Sequence, residues 1–181
     1  MKKAIIINLI GGPGSGKSTC AAGIFYNLKK MGYNCELVTE YAKDKVWEES
    51  LKVLDNQFYV FGKQHQRMFR LNDKVDFIIT DSPLPISIIY NKSESNYFNK
   101  LVIEQYNQFH NLMYFIKRPE DTYQENGRLQ TRNEAEEIDK RIKDMMHKYE
   151  IPYTELQCDE AVHYISKMVR EHEKYGLKMF D

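Results

Sequence analysis

The stretch IIINLIGGPGSGKST, residues 5–19, decides the fold of this chain. Its first six residues are apolar apart from Asn8 and mostly β-branched, a pattern typical of a strand that is buried on both faces. Residues 11–18 fit the phosphate-loop pattern GxxxxGKS/T at every fixed position. The strand before this pattern and the helical pattern after it are the context that the motif requires. Residues 5–19 therefore predict a strand, a phosphate loop and a helix in succession.

The residue types in the loop explain how it would bind phosphate. Glycines let the backbone turn tightly, so that successive amide hydrogens converge on one anion at the positive end of the following helix. Lys17 supplies a mobile charge for the β- and γ-phosphates, and Ser18 supplies a hydroxyl ligand for Mg²⁺. The predicted nucleotide-binding residues of the loop are Gly12, Pro13, Gly14, Ser15, Gly16, Lys17, Ser18 and Thr19.

Length and composition favour a single α/β domain over residues 1–181. Lysine and arginine together number 26, as do aspartate and glutamate, so no overall field attracts the protein to nucleic acid or to an anionic membrane. The three cysteines have no metal-ligand spacing, and their odd number argues against a disulfide framework. The apolar stretch after the initial Met-Lys-Lys is too short for a signal sequence or a membrane span. We therefore expect a cytoplasmic protein without a membrane partner.

Helical and strand patterns alternate along the rest of the chain, which predicts a parallel sheet with helices on both faces. A helix is predicted at residues 17–31, and another begins with an Asn133 cap answered by Glu136. Four further strands are predicted at 35–39, 75–80, 111–116 and 151–156. The expected architecture is thus a five-stranded, three-layer α/β/α fold.

Carboxylates follow two of these strands. Glu40 and Asp44 come after the second strand, and Asp81 ends the third. Because ligands bind beyond the carboxyl ends of parallel strands, all three are expected at the working edge of the sheet, with Asp44 as a possible acceptor-binding residue. Downstream of a phosphate loop, Asp81 is the expected partner of Ser18 in holding Mg²⁺. ATPases that split water often place a glutamate next, and this chain has Ser82 there, which favours transfer to a hydroxyl group.

A cationic face is predicted on the helix that covers residues 63–74. Its members are four basic residues at steps of 4, 3 and 4: Lys63, Arg67, Arg70 and Lys74. Such a face is commonly only solvated. The alternative is a surface for an anionic acceptor, either a nucleotide phosphate or a polynucleotide backbone, with Arg67 and Arg70 as its binding residues.

A polar stretch after the fourth strand, about residues 117–132, predicts a small lid. It carries Arg118, Arg128 and Arg132 on either side of Gly127 and shows no periodicity. Guanidinium groups on such a segment can pair with phosphate oxygens when the lid closes. We therefore interpret the three arginines as candidate phosphate ligands.

With these residues placed, the chain resembles the P-loop kinases of the nucleoside and nucleotide kinase group over nearly its whole length. The relatives it resembles include ribosylnicotinamide-kinase-type domains and small phage P-loop kinases. The likeness depends on GGPGSGKST, on Thr-Glu-Tyr-Ala at 39–42, on Ile-Thr-Asp-Ser-Pro-Leu ending at residue 84, and on the lid followed by a helix and a short Ile-Pro-Tyr strand. This resemblance implies Glu40 as base or acceptor ligand, Asp81 as the Walker B carboxylate and Arg128 as a lid arginine.

The predicted activity is transfer of the γ-phosphoryl group of ATP, bound with Mg²⁺, to a hydroxyl group. Three hypotheses stay open. The acceptor is a small nucleoside or nucleotide, or it is a base within DNA, such as hydroxymethyluracil for some phage relatives, or the protein is an ATPase or nucleotide switch with no acceptor. A phage-encoded protein would act in the host cytoplasm. Monomer and homodimer remain open.

Overall fold

A five-stranded parallel sheet forms the centre of the computed structural model, which describes residues 3–93, 96–119 and 131–175. The strands are β1 (Ile5–Ile10), β2 (Cys35–Val38), β3 (Phe77–Thr80), β4 (His110–Ile116) and β5 (Thr154–Leu156). They lie in the order β2-β3-β1-β4-β5, and every pair is parallel. The predicted α/β fold class is confirmed.

Helices cover both faces of the sheet. They are α1 (Lys17–Lys30), α2 (Tyr41–Trp47), α3 (Gln57–Phe69), α4 (Ile86–Tyr90), α5 (Asn96–Asn107), α6 (Arg132–Lys148) and α7 (Cys158–Tyr175), with a 3-10 turn at Leu51–Asp55. Helices α1 and α7 pack on one face through residues such as Ile24 and Ile165. Helices α3 to α6 pack on the other through residues such as Phe61, Val102 and Ile142. Alternate residues of β1 belong to the two cores, as expected for a strand buried on both faces.

The strand order determines where the functional side chains meet. Strand β1 lies between β3 and β4, and its Asn8 is level with Thr80 of β3. Because all strands are parallel, their carboxyl ends share one edge of the sheet. The phosphate loop, Glu40, Asp81 and Arg118 follow four different strands at that edge.

Local structure departs from the sequence patterns at the start of α6. The predicted cap of Asn133 with Glu136 is wrong, because Thr131 caps α6. Its hydroxyl accepts the Glu134 amide hydrogen at 3.4 Å, and the Glu134 carboxylate accepts the Thr131 amide hydrogen at 2.7 Å. After β3, Pro85 has helical angles and is the N-cap residue of the short helix α4.

Most of the predicted lid, including Arg128, lies outside the described residues. Within the described ranges, no helix combines the length and apolar composition needed to cross a membrane.

Candidate active site

The phosphate loop presents unpaired amides at the start of α1. Gly14 and Gly16 have φ values of +82° and +87°, a left-handed conformation that glycine adopts at little cost. Gly16 is the N-cap residue of α1, no side chain caps the helix, and its first turn contains no acidic residue. Among the described residues, no acceptor takes the amide hydrogens of residues 17–19. The loop therefore offers main-chain donors and a positive helix end to an anion.

Lys17 is half-buried within the loop. Its Nζ donates a hydrogen bond to the Gly12 carbonyl at 2.9 Å. Burial lowers the pKa of Lys17, and the carboxylates of Glu40, Asp81 and Asp139 oppose this effect by stabilising the ammonium form. The ammonium group has two further N–H donors for a ligand.

Ser18 and Asp81 form a site that fits a magnesium ion. The Ser18 hydroxyl donates to Asp81 Oδ2 at 2.6 Å, and only 5% of Asp81 is exposed. Asp81 Oδ1 is buried and has no hydrogen-bond partner among the described residues. A buried carboxylate oxygen without a partner is costly unless a ligand satisfies it, and hard oxygen donors suit Mg²⁺.

Glu40 lies close enough to this cluster for its charge to interact with Lys17. It occupies the N-cap position of α2, but its carboxylate makes no capping bond. Burial raises the pKa of Glu40, Lys17 lowers it, and Asp81 raises it further. The half-buried carboxylate is thus available to a ligand rather than engaged with its own helix.

Tyr90 and Arg141 belong to the surroundings of Glu40, although no sequence signal identified them. Burial raises the pKa of Tyr90 to about 12, and the charge of Glu40 adds to this effect while Arg141 opposes it. Arg141 itself donates a hydrogen bond to the carbonyl of Ile89 at 2.5 Å. The sequence offered no guide because these contacts join α4 to α6, which are about 40 residues apart.

Two predicted acceptor residues, Asp44 and Arg67, bind each other. Arg67 donates to Asp44 Oδ2 at 2.5 Å and to the carbonyl of Thr39 at 3.1 Å. Its guanidinium also lies over the Tyr41 ring, 5.2 Å from the centroid. These contacts hold α2 against α3. The third predicted residue, Arg70, is exposed at the C-cap of α3.

The three predicted lid arginines have different positions. Arg118 donates to the carbonyl of Pro13 and, at 2.6 Å, to Asp139 Oδ2. Arg132 pairs with Glu136 of its own helix at 3.1 Å, and both side chains are exposed. Arg128 lies outside the described residues, so its role remains a prediction.

Gly12 allows the loop to approach α6 closely. A Cβ atom at Gly12 would lie 2.6 Å from the carbonyl oxygen of Ala135 and 2.8 Å from Asp139 Oδ1. The Gly12 amide donates to that same Asp139 oxygen at 2.5 Å. Any side chain at this position would therefore separate the loop from the helix.

Comparisons with known proteins bear on the family and the fold of this chain. A sequence family described as AAA domain matches residues 6–161. No curated protein matches the sequence. The structure of NadR protein in complex with NR superposes with a TM-score of 0.70 at 15% identity, over 97% of this chain and 52% of the NadR chain. This chain thus spans about half the length of NadR.

The superposition with a second solved structure covers almost all of both chains. Deoxyadenosine kinase from M. mycoides with bound dATP superposes with a TM-score of 0.55 at 18% identity, over 93% of this chain and 99% of that one. At these identities the two likenesses establish a shared fold.

We predict that Gly12→Ala destabilises the protein. Because the added methyl group meets backbone atoms of α6, the free energy of unfolding should fall by about 1–3 kcal/mol. Urea unfolding followed by circular dichroism measures this change. Gly62→Ala is the matched control, since nothing lies within 4 Å of a Cβ there and the residue is inside α3. That variant should be unchanged or more stable by up to about 1 kcal/mol. Equal stability of the two variants would contradict the close approach.

Proposed function

The chain belongs to the AAA domain family, and on that premise we propose that it is a phosphotransferase that uses ATP and Mg²⁺. It transfers the γ-phosphoryl group to a hydroxyl group of a nucleoside-type acceptor. The observation that supports this most directly is the meeting of Lys17, Asp81 and Glu40 at one edge of the sheet, beside the unpaired amides of α1. Phosphate-binding groups, a metal ligand and a candidate base thus lie in one cluster.

The loop binds the triphosphate through its main chain and Lys17. The amides at the start of α1 donate to the β-phosphate, where the helix dipole also favours negative charge. Lys17 keeps one hydrogen bond to the Gly12 carbonyl and donates its remaining hydrogens to phosphate oxygens. Charge developing on these oxygens during transfer is stabilised by donors already in position.

Ser18 and Asp81 are the residues that would hold the metal ion. The unpartnered Asp81 Oδ1 and the Ser18 hydroxyl are the donors that fit it. When bound, Mg²⁺ supplies charge neutralisation between the β- and γ-phosphates. Asp81 also orients the Ser18 hydroxyl through the 2.6 Å hydrogen bond.

Glu40 orients the acceptor hydroxyl and takes its proton. The raised pKa that burial gives Glu40 makes the carboxylate a better proton acceptor. Position 82, next to Asp81, holds a buried serine whose amide donates to Thr80 Oγ1 at 3.2 Å. The residue that follows Asp81 is therefore not the glutamate that water-splitting ATPases often have there, which favours transfer over hydrolysis.

An acceptor without its own phosphate is favoured, because three described arginines are engaged within the protein, although Arg70 is exposed at the end of α3. Arg67 is paired with Asp44, Arg118 with Asp139, and Arg141 with the carbonyl of Ile89. A nucleoside monophosphate would need guanidinium groups that can turn to its phosphate. A nucleic acid acceptor has less support, because Arg67 of the cationic face is engaged within the protein.

The direct test is a phosphate-transfer assay with ATP labelled at the γ-phosphate. The panel contains nucleosides, their 5′-monophosphates, hydroxymethylated DNA oligonucleotides and a sample without acceptor. We expect label on nucleosides, and we expect Lys17→Ala to reduce the rate by at least about 100-fold without loss of fold. Lys30→Ala, an exposed residue in the last turn of the same helix, is the matched control and should retain the rate.

The distribution of label distinguishes the alternatives. Label on monophosphates or DNA would contradict the acceptor class, and release of inorganic phosphate alone would indicate an ATPase or nucleotide switch. Full activity of Lys17→Ala would contradict the assignment of the loop.

The acid limb of the pH profile of activity should reflect the ionisation of Glu40. Because its folded-state pKa is raised and the carboxylate is the active form, activity should fall with decreasing pH at values above those of an ordinary glutamate. Glu40→Gln should lower kcat/KM by about 10²–10⁴-fold and abolish this limb. Glu36→Gln, on the exposed side of β2, is the control. An unchanged acid limb in Glu40→Gln would show that another group titrates.

A further inference from the structure

The ion pair between Arg118 and Asp139 holds the first half of the phosphate loop. The Gly12 amide donates to Asp139 Oδ1 at 2.5 Å, while Arg118 donates to Asp139 Oδ2 at 2.6 Å. Arg118 also donates to the Pro13 carbonyl. Two consecutive residues of the loop are therefore bonded to the same Arg118–Asp139 pair.

This pair lies in a setting where hydrogen bonds are strong. The Arg118 and Asp139 side chains are only 7% and 19% exposed. Charged partners in a poorly solvated place make shorter and stronger hydrogen bonds than exposed ones, and loss of one partner leaves the other charge uncompensated. Gly12 is also in close contact with the backbone of α6, so the pair and the helix restrict the same peptide groups.

The position of Lys17 depends on these peptide groups. Its Nζ is bonded to the Gly12 carbonyl, which belongs to the residue whose amide Asp139 accepts. A shift of Gly12 would move the ammonium as well as the turn that leads into the amides of α1. The loop and Lys17 are thus held by Asp139, which follows Lys17 by 122 positions in sequence.

We propose that Asp139 and Arg118 are positioning residues that fix Gly12 and Pro13, and through them Lys17, in the geometry that binds a polyphosphate. The inference deepens the proposed function and rests on it only in taking a nucleotide as the ligand of the loop. It assigns Arg118 to the loop rather than to direct contact with phosphate oxygens.

A double-mutant cycle separates these two roles of Arg118. Affinity for ADP with Mg²⁺ is measured by calorimetry, without any acceptor, for Asp139→Ala, Arg118→Ala and the double variant. We expect each single variant to weaken binding by about 10- to 100-fold, the effect of a misplaced binding group. The double variant should bind no more weakly than the weaker single variant. Asp144→Ala, an exposed aspartate on the same helix, is the control and should bind normally.

Two results of the cycle would overturn the proposal. Additive losses in the double variant would mean that Arg118 contacts the nucleotide independently of Asp139. Normal affinity of Asp139→Ala would mean that the pair does not position the loop. Thermal unfolding by circular dichroism identifies any variant that has lost its fold.

A second measurement tests the contact without a nucleotide. Hydrogen exchange of the Gly12 amide, followed by NMR, should be slow in the wild-type protein and in Asp144→Ala, and faster in Asp139→Ala. Asp139→Asn should retain partial protection, since its side-chain oxygen can still accept the amide hydrogen. Unchanged exchange in Asp139→Ala would overturn the proposal. If the wild-type protein bound no ADP, the proposed function would fail, while this exchange measurement would still decide the role of Asp139.

Discussion

The ammonium of Lys17, half-buried in the phosphate loop, is the charge on which the arrangement at the carboxyl ends of the strands depends. Burial alone would favour its neutral form, and three carboxylates oppose that effect. Glu40 follows β2, Asp81 follows β3 and Asp139 lies on α6, so no single segment of the chain could supply them together. The parallel sheet, with β1 between β3 and β4, brings them to one edge. The carboxylates that stabilise the Lys17 ammonium are thus brought together by the topology of the fold.

The same balance explains why the proposed reaction needs a divalent cation. The cluster already holds three carboxylates against Lys17 and Arg118, and a triphosphate would add further negative charge. The buried Asp81 oxygen, which has no partner in the described part of the chain, is where a cation would relieve this excess. Glu40, half-buried and not engaged in capping, remains for the acceptor hydroxyl. The proposed roles of Asp81 and Glu40 follow from carboxylate oxygens that are not engaged with other described residues.

Local sequence patterns predicted the fold well. They could not predict contacts between segments that are distant in sequence. The β-branched run of β1 and the glycines after it specified a strand, a loop and a helix, because backbone preference decides each. Thr131 and Asn133 each have a glutamate three residues later, so spacing could not choose the true cap. The contact of Asp139 with Gly12 spans 127 residues and follows no period. Nor could helical spacing reveal that Arg67 of the cationic face pairs with Asp44.

The central claim is that the main-chain amides of residues 14–19, together with Lys17, grip a polyphosphate. NMR of the uniformly ¹⁵N-labelled protein, titrated with ADP and Mg²⁺, tests it most directly. We expect large, saturable shifts of these amide resonances, with the strongest at the start of α1, where no acceptor among the described residues takes the hydrogens. Saturable binding with shifts confined to other parts of the chain, or no binding at all, would contradict it.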